Sequence, residues 1–523
     1  MKKLVALTLA SLMLLAGCSS TPKNDGNEAT PTPEAAATEA DVIVVGAGGA
    51  GMTAAIEAVN AGKSVIVIEK AAMTGGNTTR STGGMNAANT PEQDKNDFAE
   101  DAGVEKMLAS AKENYPDLAE LTATVEKQYE EYKANPTGYF DTEELFMLDT
   151  LVGGKNLNDH ALVEVLANEA KNGIEWLKTI DANLSQVGSF GGASVKRIHK
   201  PVNDEGKTVA VGSYLVPKLT KAAEDKGVQF VMETAATELV VTDGKVTGVK
   251  AGDTTYTGKA VILATGGFAA NTEMVLKYKP DYKGFVCTNA PGMTGDGIVM
   301  ATAIGADTVD MEQIQIHPTV SQETSALSTE GLRGDGAILV NSEGKRFFDE
   351  VGTRDAVSAA EVAQPGGFAW LIVDNKMVEA SSVIAGYIKQ GLTVEGADVE
   401  ALAAAMGVDG AALVETMDKW NACVEAGKDE EFGRAAEYLT KEIGEGPYYL
   451  VEQKPRFATT MGGLVVTTNL EVKNTSDTVI PGLYAAGETV GGVMGDDSPS
   501  GANNGWALTS GKLAAEAIAA ALN

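Results

Sequence analysis

The clearest hydrophobic patterns along the chain lie near residue 40. An apolar run at 41–45 predicts a buried strand, a helical spacing of apolar residues follows as far as Ala61, and the run SVIVIE predicts a second strand ending at Glu69. Helical periodicity returns in an acidic stretch from about Thr90 to about Met147, and again in amphipathic form at 392–427. Strands and helices therefore alternate, which is typical of an α/β protein.

Glycines separate the first predicted strand from the helix. Gly46, Gly48 and Gly51 have the spacing GxGxxG, which permits a tight turn, lets a pyrophosphate approach the backbone and packs the helix against the strand. The helix N-terminus then faces the phosphates, and Glu69 can accept hydrogen bonds from ribose hydroxyls. Strand, helix, second strand and terminal acid together predict a dinucleotide-binding βαβ unit.

The N-terminal residues have the pattern of a processing signal. Lys2 and Lys3 precede an apolar run at 4–15 that is too short to span a bilayer, and the sequence LLAGC ends at Cys18. The ending resembles the lipobox of bacterial lipoproteins, which implies a signal peptide at 1–17, a lipid-modified Cys18 and a flexible tether at 18–39. We expect an enzyme anchored by lipid outside the cytoplasm, in the periplasm or on the outer face of the membrane; a plain secretory signal is the alternative.

Composition excludes several classes of protein. The 523 residues contain 41 basic and 72 acidic side chains, a formal net charge of -31 that disfavours nucleic acid and anionic lipid headgroups as partners. The 3 cysteines have no CxxC or CxxCH spacing, so neither a c-type haem nor a cysteine-held iron–sulfur cluster is expected. With 3 histidines in the chain, a histidine-built metal site is not expected either.

Four further motifs follow in a fixed order. They are TGGNTTRSTGGMNAA at 74–88, VILATGGF at 261–268, TGDG at 294–297 and IPGLYAAGE at 480–488. With the βαβ unit, this series resembles the flavoproteins of the fumarate reductase and succinate dehydrogenase superfamily, nearest the soluble flavocytochrome c-type fumarate reductases and their enoate-reducing relatives such as urocanate reductases. The resemblance implies FAD as cofactor, and it assigns these contacts to it: Gly46, Gly48, Ala50, Gly51, Glu69, Asn77, Thr78, Gly83, Gly84, Ala236, Thr265, Gly266, Asp296 and Glu488.

The same resemblance implies the domain organisation. It predicts an α/β fold in which a Rossmann-like FAD-binding domain at 40–312 and 459–523 is interrupted by an α+β capping domain at 313–458. The substrate would lie between the two domains, whose hinges would gate the site. The acidic stretch from about Thr90 to about Met147 is longer than in the family. We expect an elaborated surface segment there, or else a docking site for a cationic redox partner.

Three segments carry the family's chemistry: His317-Pro318-Thr319, Thr329-Glu330-x-x-Arg333-Gly334 and Thr353-Arg354-Asp355. The resemblance makes Arg354 the acid and Glu330 with Arg333 its proton relay, while His317 and Thr329 grip the carboxylate conjugated to the substrate's double bond. A hydride would pass from flavin N5 to the β-carbon, and a proton would reach the α-carbon from the opposite face. The alternative is that Arg354 only forms a salt bridge with Asp355 or Glu350.

The chain departs from the family at the second carboxylate of a dicarboxylate. Thr459 stands where the family has a second histidine, and Ser498 stands where it has a clamping arginine, next to Asp496 and Asp497. A neutral hydroxyl cannot hold an anion as a bidentate guanidinium does. We expect a substrate other than fumarate, an enoate whose far end is neutral, bulky or cationic; acrylate-like, aryl-acrylate and urocanate-like acids fit.

The electron donor is expected to be a separate protein, since neither a haem motif nor a second strand-linked GxGxxG is evident. A membrane cytochrome or flavoprotein of an anaerobic respiratory chain is the expected partner. His199 is assigned a structural role. Three alternatives stay open: fumarate reductase proper, a flavin oxidase or dehydrogenase acting on a ketosteroid-like substrate, and a non-catalytic FAD-binding lipoprotein.

Overall fold

A computed structural model gives the fold of most of the chain. The residues that it describes are 37–190, 193–283, 285, 287–321, 328, 331–334, 336–380, 382–453 and 455–523. The predicted signal, Cys18 and most of the predicted tether lie outside these residues, as do Thr329 and Glu330. Among the described helices, none combines the length and the apolar character needed to cross a bilayer.

The strands supply the frame of the molecule. In chain order they are β1 (Glu39–Val45), β2 (Val65–Ile68), β3 (Met85–Asn86), β4 (Gln186–Gly188), β5 (Ile198–Lys200), β6 (Gln229–Val231), β7 (Ala236–Thr242), β8 (Lys245–Ala251), β9 (Thr254–Leu263), β10 (Thr308–Val309), β11 (Ile314–His317), β12 (Ile338–Val340), β13 (Ala369–Val373), β14 (Val394–Gly396), β15 (Tyr448–Gln453), β16 (Arg456–Thr460), β17 (Gly463–Leu464), β18 (Glu471–Lys473) and β19 (Val479–Ala485).

The helices cover the sheets and connect them. They are α1 (Gly49–Asn60), α2 (Asp101–Asn114), α3 (Ala119–Ala134), α4 (Glu143–Gly153), α5 (His160–Lys178), α6 (Val211–Asp225), α7 (Thr272–Tyr278), α8 (Asp296–Ala303), α9 (Gly331–Gly334), α10 (Arg354–Val362), α11 (Asn375–Ala380), α12 (Ser382–Lys389), α13 (Val399–Met406), α14 (Gly410–Ala426) and α15 (Ala502–Ala521).

The main sheet has the strand order β18-β19-β9-β1-β2-β6, and its central pairs are parallel. The predicted βαβ unit forms its centre, where the side chains of 42–44 and of Val67 are fully buried. Strand β8 joins β9 antiparallel and carries β7. Helix α15 packs against α1 so closely that a Cβ on Gly511 would lie 2.3 Å from the carbonyl oxygen of Ala50. This part confirms the predicted Rossmann-like fold.

A second, smaller lobe, the cap, is built around an antiparallel sheet with the order β12-β13-β15-β14. Helices α10 to α14 belong to it, and its hydrophobic core is separate from that of the main sheet, with its buried members between Leu332 and Leu450. An antiparallel sheet with helices is the predicted α+β cap.

Two neighbouring strands connect the cap to the main lobe. β11 enters the cap, β16 leaves it, and they pair antiparallel with Gln315 opposite Thr459 and His317 opposite Arg456. The predicted boundaries at 313 and 458 therefore lie beside each other in space. Side chains from both connections are thereby brought to one place in the structure.

The acidic stretch before residue 154 is more than a surface segment. Helices α2, α3 and α4 enclose a third hydrophobic core, which includes Leu108, Val125 and Leu148. Met107 from α2 and Tyr115 after it also line the large cavity described below. The expectation of a surface elaboration misses this because the apolar residues are sparse among many charges, and their burial depends on packing of all three helices.

Candidate active site

A cavity of about 1110 Å³ lies between the main sheet, the cap and the helices that precede residue 154. Its walls include the glycine turn after β1, the carboxyl ends of β2 and β9, strand β11 and the start of α10. Ligands of open α/β sheets bind outside the carboxyl ends of the parallel strands. The cavity is therefore the candidate active site.

The turn between β1 and α1 is closely packed. Gly46 has a φ of +105°, and a Cβ there would lie 2.3 Å from the carbonyl oxygen of Ala264. A Cβ on Gly51 would lie 1.9 Å from the carbonyl oxygen of Gly46. Gly48 instead lines the cavity, where its backbone is open to a ligand. The packing at Gly46 and Gly51 fits the tight turn and the close helix–strand contact of the motif, and the position of Gly48 leaves room for a pyrophosphate.

Glu69 follows β2 and faces this turn. Its Oε2 accepts a hydrogen bond from the backbone N of Ala47 at 2.8 Å, and its Oε1 accepts one from the N of Ala71 at 2.8 Å. Glu69 also lines the cavity. A carboxylate at the end of the second strand is the usual partner of a ribose hydroxyl in dinucleotide sites. The turn and the carboxylate together fit FAD.

Most residues assigned to FAD by the sequence lie on the cavity wall. They are Gly46, Gly48, Ala50, Glu69, Asn77, Thr78, Gly83, Ala236, Thr265, Gly266, Asp296 and Glu488. Gly51 and Gly84 lie behind the wall, and a Cβ on Gly84 would lie 2.3 Å from the carbonyl oxygen of His199. These two glycines permit close packing of the elements that form the wall.

Glu488 is half-buried on the cavity wall, and its carboxylate accepts hydrogen bonds from neutral donors. Its Oε1 accepts from Thr459 Oγ1 at 2.9 Å and from the N of Thr460 at 3.1 Å, and its Oε2 accepts from Asn77 Nδ2 at 3.3 Å. Burial raises the pKa of the Glu488 carboxyl above its ordinary value. The residue therefore links the FAD motif at 480–488 to the strand that leaves the cap.

Arg354 is the first residue of α10 and lines the cavity. Its Nη1 donates to Oε1 of Gln315 at 2.7 Å and to the carbonyl oxygen of Ser498 at 3.1 Å. Both acceptors are neutral; Gln315 lies in the connecting strand β11, and Ser498 lies in the main lobe just before α15. The guanidinium of the cap therefore reaches across to the main lobe at the cavity wall.

The acids that the sequence offered as alternative partners are held by other cations. Glu350 is 1 % exposed and accepts hydrogen bonds from Arg346 at 2.7 Å through each carboxylate oxygen and from Arg434 at 3.1 Å. Asp355 lies 3.6 Å from Nζ of Lys155. These pairings favour an active-site position for the neighbouring guanidinium over a surface salt bridge.

Arg333 lies in α9 and is 3 % exposed. Its Nη1 donates to the backbone carbonyl of Glu350, and the residue lines the same cavity as Arg354. Two of the three predicted catalytic residues thus face one cavity. The third, Glu330, lies outside the described residues with Thr329.

His317 is buried in β11, with 2 % of its surface exposed, and lines the cavity. Its Nδ1 accepts a hydrogen bond from the backbone N of Thr319 at 3.3 Å. That bond orients the ring. His199, in contrast, is fully buried between the carbonyl of Arg197, 2.9 Å from Nδ1, and Thr90 Oγ1, 2.7 Å from Nε2, which agrees with the structural role assigned to it.

The two residues that replace the dicarboxylate clamp both line the cavity. Thr459 Oγ1 donates to Glu488 and accepts from Asn503 Nδ2 at 3.1 Å. Ser498 is fully buried, and its Oγ has no hydrogen-bond partner in the described part of the chain. A buried hydroxyl without a partner is costly, so a hydrogen-bonding group of a ligand that reached Ser498 would relieve that cost.

Acidic side chains surround this part of the cavity. Nζ of Lys155 lies 2.5 Å from Oδ2 of Asp496 and 3.6 Å from Oδ2 of Asp355. Asp497 accepts a hydrogen bond from Nε2 of Gln315. Two carboxylates therefore share one lysine, and a third, that of Asp497, accepts from a neutral amide, so carboxylates outnumber the lysine here.

Sequence analysis missed Gln315 and Lys155. Gln315 lies two residues before His317 in a strand, and alternate residues of a strand share a face, so the spacing was an available signal. Lys155 follows α4 and meets partners that are distant in sequence. No local pattern announces such a contact.

The comparisons with known proteins decide the family. The family model described as "FAD binding domain" matches residues 41–133 and 132–504. A fumarate reductase (cytochrome) of Shewanella frigidimarina is 40% identical over 485 residues, which cover 92% of this chain and 77% of that protein. The chain belongs to this family of FAD-dependent flavoproteins. The family predicted from the motifs is thus confirmed, together with FAD as cofactor and an oxidoreductase acting on CH–CH groups.

Two further members of the family extend the comparison. A urocanate reductase of Eggerthella lenta is 35% identical over 483 residues, covering 88% of this chain and 72% of that protein. The open conformation of a flavocytochrome c3 fumarate reductase is a solved structure with a TM-score of 0.73 and 34% identity, covering 92% of this chain and 78% of the other. The family therefore includes members named for different substrates.

Proposed function

We propose that the chain reduces the C=C bond of an α,β-unsaturated carboxylate whose far end is not a carboxylate. The observation that carries the proposal is the contrast within one cavity between Arg354 with His317 and the acid-rich surroundings of Ser498. Relatives are named for fumarate and for urocanate, and both compounds are unsaturated carboxylates.

The near end of the cavity, formed by Arg354, His317 and Gln315, binds the conjugated carboxylate in this proposal. A guanidinium beside that carboxylate stabilises the enolate-like charge that develops during reduction. FAD, when bound here and reduced by the separate electron donor, would supply the hydride for the β-carbon. Arg354 gives a proton to the α-carbon from the opposite face, and its bond to Gln315 at 2.7 Å fixes the direction from which the proton comes.

An arginine acid needs its proton replaced at once, because its neutral form is not normally populated. Arg333, which lines the same cavity, and Glu330 are the proposed route for that replacement. A buried relay keeps the transfer independent of diffusion through bulk water. Arg354 therefore passes a proton from the relay to the substrate, and its guanidinium is neutral only during turnover.

The far end of the cavity, formed by Ser498, Thr459, Asp496 and Asp497, disfavours a second carboxylate. Loss of one partner of a hydrogen-bonded charge pair costs about 2–5 kcal/mol. Here the guanidinium is replaced by a hydroxyl, and the neighbouring aspartates repel an anion as well. Fumarate should therefore bind less well than an enoate with an uncharged far end.

We also propose where the protein is located and which kind of protein donates electrons to it. The sequence LLAGC at 14–18 supports export and lipid attachment at Cys18, hence a site outside the cytoplasm on a membrane tether. The net charge of -31 favours a donor with a basic surface, such as a membrane cytochrome or a separate flavoprotein.

Anaerobic turnover of the FAD-loaded protein tests the proposal. Oxidation of reduced methyl viologen is followed as fumarate, acrylate, methacrylate, cinnamate or urocanate is added singly. We expect a monocarboxylate to have a kcat/KM at least about 10-fold above that of fumarate, as the missing clamp requires. The anchor is tested separately. Mass spectrometry of the protein from the membrane fraction should detect lipid attached to Cys18.

A higher kcat/KM for fumarate than for each monocarboxylate would contradict the specificity while keeping the reduction chemistry. Absence of dye oxidation with all five acids, with FAD bound, would contradict the proposed function as a whole. Lys389→Met, an exposed position on α12 of the cap, is the matched control for preparation and loading.

A further inference from the structure

We propose that the helical hairpin formed by α2 and α3 selects an aryl group at the far end of the substrate, through Met107 and Tyr115. The inference rests on the proposed reductase function and adds to it the class of enoate, an aryl-acrylate. Both side chains are half-buried and line the cavity that holds Arg354.

The position of Tyr115 follows from its contacts. Its hydroxyl donates to the backbone carbonyl of Val152 at 3.2 Å, and Val152 lines the cavity as well. Two residues later, the carbonyl of Gly154 accepts a hydrogen bond from the N of Asp496 at 3.1 Å. The ring of Tyr115 is therefore attached, through the end of α4, to the loop that carries Ser498. It lies on the far-end side of the cavity.

The hairpin holds these side chains firmly. Leu108 and Ala111 of α2 pack in the third core with Val125 and Tyr129 of α3. Tyr129 Oη donates to Asp101 at 2.5 Å, which ties the end of α3 to the start of α2. A wall fixed in this way contributes to selectivity because little ordering is needed when the substrate binds.

The chemistry of the wall favours an aromatic group. Met107, Tyr115 and Phe190, whose side chains carry a thioether and two aromatic rings, line the cavity. Aromatic and sulfur–aromatic contacts hold a planar ring better than they hold a small or hydrated group. Acrylate would leave this surface uncovered, whereas an aryl group at the β-carbon would reach it.

A substrate with a cationic group at its far end fits this site less well. Asp496 and Asp355 already share the ammonium group of Lys155, and Asp497 is engaged by Gln315. A substrate cation would have to compete with a covalently tethered one for the same carboxylates. The uncharged ring of cinnamate needs no such exchange, and the aryl class is therefore the one that this site fits.

The test compares Tyr115→Ala and Met107→Ala with the unchanged full-length protein, all loaded with FAD. The kcat/KM for cinnamate and for acrylate is measured with reduced methyl viologen. We expect the unchanged protein to prefer cinnamate, and each variant to lower the cinnamate-to-acrylate ratio by about 10-fold or more, chiefly through the KM for cinnamate. Tyr115→Phe, which keeps the ring, should restore most of the ratio lost in Tyr115→Ala.

Glu113→Ala is the matched control, because Glu113 is exposed on the last turn of the same helix. If the hairpin had only a structural role, each variant would lower the kcat/KM for cinnamate and for acrylate in parallel and leave their ratio unchanged. That result would overturn the inference. A preference of the unchanged protein for urocanate or acrylate over cinnamate would overturn it too.

A second measurement separates this inference from the proposed function. Cinnamate is titrated into the oxidised FAD-loaded protein, and its Kd is read from the change in flavin absorbance. The inference requires a Kd raised about 10-fold in Tyr115→Ala, whether or not cinnamate is reduced. An unchanged Kd overturns the selectivity assigned to Tyr115, while absence of turnover with every enoate overturns the reductase.

Discussion

The near end and the far end of the cavity are built on different principles. At the near end, Arg354 and His317 come from segments that resemble those of the family; Arg354 Nη1 donates to Gln315 at 2.7 Å, and His317 Nδ1 accepts from the backbone N of Thr319 at 3.3 Å. At the far end, Ser498 has a fully buried hydroxyl without a described partner, and Lys155 is shared between two aspartates. The near end thus presents the guanidinium of Arg354, which also donates to the backbone carbonyl of Ser498, whereas the ammonium group at the far end is already shared by two carboxylates.

The difference separates chemistry from selectivity. Hydride acceptance by an enoate requires one stabilised carboxylate, so the near end cannot change without loss of the reaction. The far end contributes binding only, and its residues can be exchanged to admit a different group. The same flavin site can thus serve several unsaturated acids.

The largest effect is expected from Arg354→Met. This change removes the proposed acid and the carboxylate's cation together, and kcat for cinnamate should fall by about 1,000-fold or more. Flavin absorbance of the purified variant checks that FAD stays bound. Arg354→Lys, which keeps the charge but not the position of the Nη1 that contacts Gln315 and Ser498, should be intermediate. Retention of more than about a tenth of kcat in Arg354→Met would break the assignment of the near end.

A smaller but more informative effect is expected from Ser498→Arg. A guanidinium at the far end would restore a partner for a second carboxylate, so the ratio of kcat/KM for fumarate to that for cinnamate should rise by about 10-fold or more. Ser498→Ala is the control, because it removes the hydroxyl without adding charge. An unchanged ratio in Ser498→Arg, with FAD bound, would contradict the assignment of the chemistry to the near end and of the selectivity to the far end.

Lys155→Met tests how the charge of the far end affects the choice of substrate. Without the ammonium group, Asp355 and Asp496 lose a partner and the far end becomes more negative. Partly exposed ion pairs are worth less than about 1 kcal/mol, so the ratio of kcat/KM for urocanate to that for cinnamate at pH 6 should rise only about twofold to fivefold. A fall in that ratio would mean that Lys155 does not balance these carboxylates.

The smallest effect is expected at Asp41, which is remote from both ends of the cavity. A change there should affect only the free energy of unfolding. Hydrogen bonds from Lys259 and Ser64 lower the pKa of Asp41 to about 2 from an ordinary value of 3.8. The folded pKa lies below the unfolded one, so the stabilisation is present at neutral pH and is lost as pH falls from 3.8 towards about 2.

Urea unfolding at pH 7 and at pH 3 measures this contribution. Asp41→Asn should lower the free energy of unfolding by less than about 1 kcal/mol at pH 7, and by less again at pH 3. The substrate ratios should be unchanged. Asp253→Asn, at an exposed position, is the control. A larger loss at pH 3 than at pH 7 would contradict the direction of the pKa shift.

Local patterns were enough for the centre of the fold. The strand at 41–45, the helix after it and the strand ending at Glu69 depend on contacts between near neighbours in sequence, so their periodicity predicts them. The cap and its place in the chain came from the resemblance to a family. The helical hairpin was recognised as helical but not as a wall of the cavity, because that depends on packing against α4.

The site shows the same limit. Arg354, Arg333 and His317 stand in recognisable segments, and the structure brings them to one cavity. The bond between Arg354 and Gln315 joins the cap to its connecting strand. Such a pairing has no periodicity and is decided only when distant elements fold together.

The strands β11 and β16, which connect the cap to the main lobe, have a consequence for biosynthesis. Everything between them is continuous in sequence, whereas the main sheet needs β19 beside β9 and α15 against α1. A ribosome therefore completes the cap before it has made the last parts of the main lobe. We expect the cap to fold first on the nascent chain and FAD to be captured last, once the final helix has been released.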